Sequence, residues 1–176
     1  MIRLENYATV SQEATLLEAV IALEKAHERQ HHDRYRHRAV LVRDNDDRIV
    51  GKLSMLDVLR ALEPRYREIT DFSHSMRFGF STGFIKSMVK KYDLWQKPLD
   101  DLCRKAAQIN VKNIMYTPAE GEYVRIDATL DEAVHQLVVG HHQSLLVIDD
   151  EKNVVGILRL TDVFSEVCNL IKASQP

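Results

Sequence analysis

Hydrophobic and polar positions along this chain follow one five-part pattern, written twice. In the first copy Leu16, Ala19, Val20 and Leu23 recur at the spacing of one helical face, behind Thr15. Tyr7 to Val10 ahead of them reads as a short strand. Ala39-Val40-Leu41-Val42 and Ile49 to Leu53 read as two more, joined by the Asx-rich turn Asp44-Asn45-Asp46-Asp47 as antiparallel neighbours. A last helix is predicted to start near Ser54. The second copy runs through a strand at Tyr123 to Ile126 and a helical face of Leu130, Ala133, Val134 and Leu137. It continues through Ser144-Leu145-Leu146-Val147, the turn Asp149 to Asn153, a strand from Val154, and a helix from near Leu160.

The two copies align residue by residue. Ala14-Thr15-Leu16-Leu17-Glu18-Ala19-Val20 matches Ala128-Thr129-Leu130-Asp131-Glu132-Ala133-Val134, at an offset of 114. Between Gly51 and Gly156 the offset is 105, so the first copy carries about nine extra residues near 28–36. One strand-helix-strand-strand-helix unit is small for a core of its own, whereas two can bury their sheets and helices against each other. The expected architecture is α/β: two β-α-β-β-α repeats, 1–62 and 111–176, packed as a pseudo-symmetric pair around a helical insertion at 63–110.

Within that insertion Pro64 closes the preceding helix. Phe72, Phe78, Phe80 and Phe84 cluster near Gly79 and Gly83, as in a hydrophobic loop or lid. A helix carrying Phe84, Ile85, Met88, Val89 and Tyr92 follows, and Pro98 opens another through Leu99, Leu102, Cys103 and Ala106. The insertion is read either as extra core packing or as a surface for a partner, a second subunit or the ligand.

Composition narrows the function. Among 176 residues, 45% are hydrophobic and the net charge is −2, enough apolar content for a core and no general attraction to nucleic acid or an acidic membrane. The small basic face of Lys86, Lys90 and Lys91 is too few charges for phosphate-backbone binding. Cys103 and Cys168 follow no metal or redox spacing, and no apolar run approaches the roughly 20 residues of a membrane span. A cytoplasmic protein with reduced thiols is expected.

The doubled unit resembles the CBS (cystathionine-beta-synthase) domain pair, or Bateman module, over roughly residues 5–62 and 111–170. Val111-Lys112-Asn113-Ile114-Met115 looks like the family's lead-in, and Gly51-Lys52-Leu53-Ser54-Met55-Leu56-Asp57 fits its glycine-hydrophobic-hydrophobic-Ser/Thr-x-x-Asp ligand motif except at Lys52. The resemblance implies a cleft between repeats for an adenosyl ligand such as AMP, ADP, ATP or S-adenosylmethionine, with no cofactor required. It implies Asp57 and Asp162 as ribose anchors, which suits acceptor-only carboxylates facing two hydroxyl donors. Ser54 is implied as helper beside ribose or phosphate, and His37-Arg38, with His142 at the equivalent place in the second repeat, as phosphate-facing groups. Backbone near Arg36 and Thr117 is implied at the adenine edge.

Competing readings stand beside these. Ser54-x-x-Asp57 also has the spacing of a capping box, a purely structural role. Arg159 replaces the Ser/Thr in the second repeat, so the capping pair is expected to be lost there. It either blocks the second site or supplies a cation to a phosphate. His37 and His142 also suit a solvated strand entrance. His135, His141 and His142 form a loose group better suited to solvated or packed roles than to metal. His27-Glu28-Arg29-Gln30-His31 spells the zinc-protease motif, but Arg34 stands where the extended motif needs glycine, and the surroundings are polar.

The expected function is therefore regulatory and not enzymatic: a sensor binding an adenine nucleotide and passing its occupancy to an unidentified effector protein, as a homodimer by family resemblance. The alternatives are an interaction scaffold with degenerate sites, and a metalloenzyme built on His27, Glu28 and His31.

Overall fold

The structure is a computed structural model, and it describes residues 1–29, 38–66 and 81–174. Phe72, Phe78, Gly79 and Phe80, the core of the expected lid, lie outside the described residues. The strands are β1 (Ile2–Arg3), β2 (Thr9–Ser11), β3 (Ala39–Arg43), β4 (Ile49–Ser54), β5 (Tyr123–Arg125), β6 (Ser144–Ile148) and β7 (Val154–Arg159). The helices are α1 (Leu16–Arg29), α2 (Met55–Ala61), α3 (Thr82–Lys91), α4 (Leu99–Ala106), α5 (Leu130–Gly140) and α6 (Leu160–Ala173). None of them is long and apolar enough to cross a membrane.

Each repeat forms its own small sheet. In the first, β2 pairs parallel with β3, and β3 antiparallel with β4, placing Val40 opposite Leu53 and Val42 opposite Gly51. In the second, β5, β6 and β7 repeat this, with Leu145 opposite Leu158 and Val147 opposite Gly156. Even the register shifts coincide, falling after Val42 and after Val147. The connecting turns match too. Asp44 Oδ1 accepts the Asp46 and Arg48 N–H groups, both at 2.9 Å, and Asp149 Oδ1 accepts those of Glu151 at 3.0 Å and Asn153 at 2.8 Å. The helices are opened by reciprocal caps, Thr15 with Glu18 and Thr129 with Glu132.

The apolar runs on β3 and β6 are continuous because both faces are buried. Val40 and Val42 point to a cluster with Leu16 and Ala19 of α1, while Leu41 points the other way. Leu145 and Val147 join Leu137 and Val163, and Leu146 points away from them. Leu41 and Leu146 then meet, with Tyr7 and Ile157, in a shared cluster between the repeats. That cluster is the core a single unit lacks.

The first strands differ from the sequence expectation. β2 starts at Thr9, because Tyr7 closes a short 3-10 turn over Leu4–Asn6 and is buried. Ahead of it β1 crosses over and pairs antiparallel with β7 of the other repeat, Ile2 opposite Ile157 and Arg3 opposite Gly156. Tyr116 makes the corresponding crossing onto β4, opposite Lys52. Each repeat thus receives chain from the start of the other.

In the insertion, α3 is capped by Ser81, whose Oγ accepts the Phe84 N–H at 3.2 Å, and buries none of its residues. Phe84, Ile85 and Val89 are exposed, so α3 adds little to the core. Leu94 and Ala106 are buried instead. The segment after α3 is held to the end of the first repeat. The buried Glu63 carboxylate accepts the Trp95 N–H at 3.0 Å, and Arg65 donates to the Tyr92 carbonyl at 3.1 Å.

The exchanged segments explain the two motif glycines. A Cβ at Gly156 would stand 2.6 Å from the Ile2 carbonyl oxygen. One at Gly51 would stand 2.6 Å from Met115 Sδ and 3.1 Å from the Tyr116 carbonyl oxygen. A thioether can move aside and a crossing backbone cannot. Gly156→Ala is therefore expected to destabilise by roughly 1–3 kcal/mol, the usual cost of overpacking, and Gly51→Ala by less. Urea melts check the order; the reverse order contradicts this account.

Candidate functional site

The two motif ends are the junctions β4–α2 and β7–α6. At the first, Ser54 is the N-cap of α2 and forms a full capping box with Asp57. Ser54 Oγ accepts the Asp57 N–H at 3.2 Å, while Asp57 Oδ2 accepts the Ser54 N–H at 2.9 Å and its hydroxyl at 2.6 Å. The structural reading of this pair is therefore realised. Asp57 Oδ1 is left with a 3.3 Å contact from Arg60, whose side chain is 46% exposed. Arg38 is brought to the same junction, since its carbonyl accepts the Met55 N–H at 3.1 Å and its own side chain is exposed. Thr117, also exposed, follows Tyr116, which is bonded to β4 in both directions through Lys52. The Asp57 charge is felt at the Tyr116 hydroxyl. Ser54, Asp57, Arg38 and Thr117 thus gather where the second repeat's lead-in crosses the first repeat's sheet.

The second junction is built differently. Asp162 Oδ2 accepts the Arg159 N–H at 3.2 Å, so half of the expected capping pair survives the loss of the hydroxyl. The Arg159 side chain then folds back on the carboxylate. Its Nε donates to both oxygens at 3.0 Å, and Nη2 donates to Oδ1 at 2.6 Å. Tyr7 lies against this pair; burial pushes its phenol up to about 12, with Arg159 pulling it down and Asp162 pushing it further up. A recess of about 620 Å³ opens beside Tyr7, lined by Glu5 to Thr9 and by Ala22, Lys25 and Ala26 of α1. His142 does not reach this junction with its side chain. A Cβ on Gly140 would fall 2.1 Å from its Nε2, so the imidazole packs on the end of α5, where His141 turns left-handed at φ 52°.

His37 and Arg36 lie outside the described residues, as does His31 of the zinc-protease pattern; His27 and Glu28 fall in the last turn of α1. Among the described residues no group of three or more His, Cys, Asp or Glu is placed to hold a metal.

Sequence reasoning missed the cluster built on the buried Glu122 at the seam. Lys52, the motif's odd residue, forms an ion pair with Glu122 of the second repeat. Glu122 is 2% exposed, accepts a hydrogen bond from the Tyr116 hydroxyl, and takes the Ala119 N–H at 3.2 Å. Lys52 Nζ sits 5.2 Å from the Tyr116 ring centroid. A lysine in a hydrophobic slot is itself the signal, because a buried ammonium needs an anion. Burial pushes the Glu122 carboxyl up, but the Lys52 and Tyr116 hydrogen bonds, the Lys52 charge and the Ala119 N–H outweigh it and hold it below the usual carboxylate range. The hydrogen bond to Glu122 is the main reason the Tyr116 phenol is pushed up to about 12.

A family model described as CBS domain matches residues 1–64 and 111–169. Comparison with curated proteins by sequence gave no significant match. Among solved structures, CBSX2 from Arabidopsis thaliana is 18% identical over 98% of this chain and 93% of its own, with a TM-score of 0.60. Its complex with AMP matches at 0.58. A CBS domain-containing protein of unknown function from Bacillus anthracis is 14% identical over 96% of this chain and 89% of its own, at 0.62. The cytosolic domain of the Mg2+ channel MgtE, in complex with ATP, is 19% identical over 94% of this chain and 46% of its own, at 0.54.

The seam cluster makes stability depend on acid. The folded Glu122 carboxyl sits below its unfolded value, so its contribution is full above the unfolded value and is lost as pH falls through the folded one. Glu122→Gln leaves the half-buried Lys52 ammonium without its anion and is expected to cost roughly 1–3 kcal/mol near neutral pH. Urea melts at about pH 7 and about pH 3 should show the gap between wild type and variant narrowing on acidification. A gap that stays constant contradicts the assignment.

Proposed function

This chain belongs to the CBS domain family, and from that premise we propose that it is a regulatory module that binds an adenosyl ligand between its repeats and acts by linkage, without catalysis. In this reading residues 1–62 and 111–176 are the repeats, and 63–110 is an insertion available to a partner. The observation that carries it is the half-engaged carboxylate of Asp57 at the seam. Oδ2 is fixed by the Ser54 cap, which orients the group, while Oδ1 meets, among the described residues, only the exposed Arg60. Two vicinal ribose hydroxyls suit such an acceptor. In this proposal Arg38, whose carbonyl bonds the first turn of α2, faces the phosphate, and Thr117 the adenine. The AMP complex of CBSX2 and the ATP complex of MgtE support the ligand class.

Ligand energy reaches a partner only as far as it differs between two arrangements of the repeats or of two chains. The Lys52–Glu122 pair links the strand that ends at Ser54 to the second repeat, and in this proposal it carries such a difference. Homodimerisation is proposed through the apolar residues left exposed on α1, α2, α5 and α6, among them Ile21, Leu59, Val138 and Phe164. A cytoplasmic site of action and an effector protein belong to the same proposal. The Arg159–Asp162 pair favours a second reading, an interaction scaffold whose clefts bind nothing.

A thermal-shift screen with AMP, ADP, ATP and S-adenosylmethionine separates the two. A ligand at about 100 times its dissociation constant adds roughly 2.7 kcal/mol, a shift of several degrees. Asp57→Asn is expected to remove that shift; no shift with any of the four in wild type supports the scaffold. Phe164→Asp with Leu59→Asp should convert a dimer to a monomer by light scattering, and an unchanged mass contradicts the proposed interface.

A further inference from the structure

The two repeats share a backbone but not a chemistry. Ser54 and Asp57 are matched, at the common offset, by Arg159 and Asp162. In the first repeat the aspartate keeps one oxygen for an incoming donor. In the second, Arg159 Nε and Nη2 cover both oxygens, at 3.0, 3.0 and 2.6 Å, with its own N–H at 3.2 Å. Each aspartate meets three donor groups, but at Asp162 two of them belong to one guanidinium folded onto both oxygens, whereas at Asp57, among the described residues, Oδ1 meets Arg60 alone at 3.3 Å. The two carboxylates are sheltered alike, 13% exposed at Asp57 and 18% at Asp162, so the repeats differ in the cation: Arg159 is 11% exposed and Arg60 46%. Vicinal hydroxyls are neutral donors in the place that a charge-assisted, forked donor already holds.

We infer that the second site is latent: Arg159 acts as a built-in occupant of the ribose anchor, so each chain takes a single adenosyl ligand, at Asp57. This rests on the nucleotide reading above and goes further by assigning stoichiometry and the residue that sets it. The recess beside Tyr7 is lined by Glu5 to Thr9 and by α1, and Tyr7 in turn feels the charges of Arg159 and Asp162. What closes the second site is the pairing. Displacing the guanidinium leaves a sheltered charge without its partner, which weakens binding there by roughly 100-fold or more. Nor is the arginine poised for a phosphate, because it faces inward on Asp162. Removing it should open the site, and Ser54 shows that serine caps this junction on the same backbone.

Isothermal titration calorimetry with AMP and, separately, ATP tests this on the full chain. Wild type is expected to bind one equivalent per chain, lost in Asp57→Asn. Arg159→Ser is expected to bind two, and Arg159→Ser with Asp162→Asn one again. Two equivalents in wild type, or one in a folded Arg159→Ser, overturns the inference and leaves the nucleotide reading standing. No heat with either probe in wild type overturns both. Should Arg159→Ser fail to fold, the wild-type Arg159 Nε–H resonance decides. It should hold its position and slow exchange at saturating AMP, and its loss overturns the inference.

Discussion

The structure depends on one steric permission: two strands, β4 and β7, are each crossed by chain from the other repeat, and each crossing passes over a glycine. Beside the crossings, the repeats meet through the apolar cluster of Leu41, Leu146, Tyr7 and Ile157 and through the Lys52–Glu122 pair. In the crossings, the backbone of Ile2 and Arg3 is hydrogen-bonded into the second sheet and that of Tyr116 to the first. Those are obligatory donors and acceptors, which makes the seam directional as well as apolar. The same crossings deliver Tyr116 and Thr117 to the first junction and Tyr7 to the second. Neither cleft is therefore the property of a single repeat.

Around that seam the chain has placed its buried charges. Glu122 answers Lys52, Arg159 answers Asp162, and Glu63 is met by backbone N–H groups at the base of the insertion. Each is tied down at the end of an element, where it fixes geometry more than it adds stability. The consequence is asymmetry on a symmetric frame. A lysine taken into one motif is neutralised across the repeats, and an arginine taken into the other is neutralised within it.

Much of this was legible in the sequence, for physical reasons. Helical faces and double-sided strands have periods, so Leu16, Ala19, Leu41 and Leu146 declare themselves, and a duplicated order of elements fixes the pairing. Asp57 was singled out by the family's ligand motif, and the same Ser54-x-x-Asp57 spacing gave its competing role as a cap, which the structure shows. Other features have no period. Ile2 and Arg3 form two residues of strand with no pattern to read, although the 114-residue offset relates Ile2 to Tyr116. Glu122 looks like any surface glutamate until Lys52 demands a partner. His142 was expected to face a phosphate, but its side chain packs on Gly140, a neighbour whose missing Cβ no motif records.

The pairing of β1 with β7 also sets a schedule for folding. Ile2 and Ile157 are 155 positions apart in the chain. At roughly 5–20 residues per second of synthesis, β1 waits on the order of ten seconds or more for its partner strand to exist. The first sheet, whose pairings are local, can form during that time, while an apolar strand and the crossing face of Gly51 stay open. Contacts of such separation are formed late and slowly. In a population of nascent chains, the waiting strand of one can meet the finished second repeat of another, so the pairing that closes the monomer is equally a route to exchange between molecules.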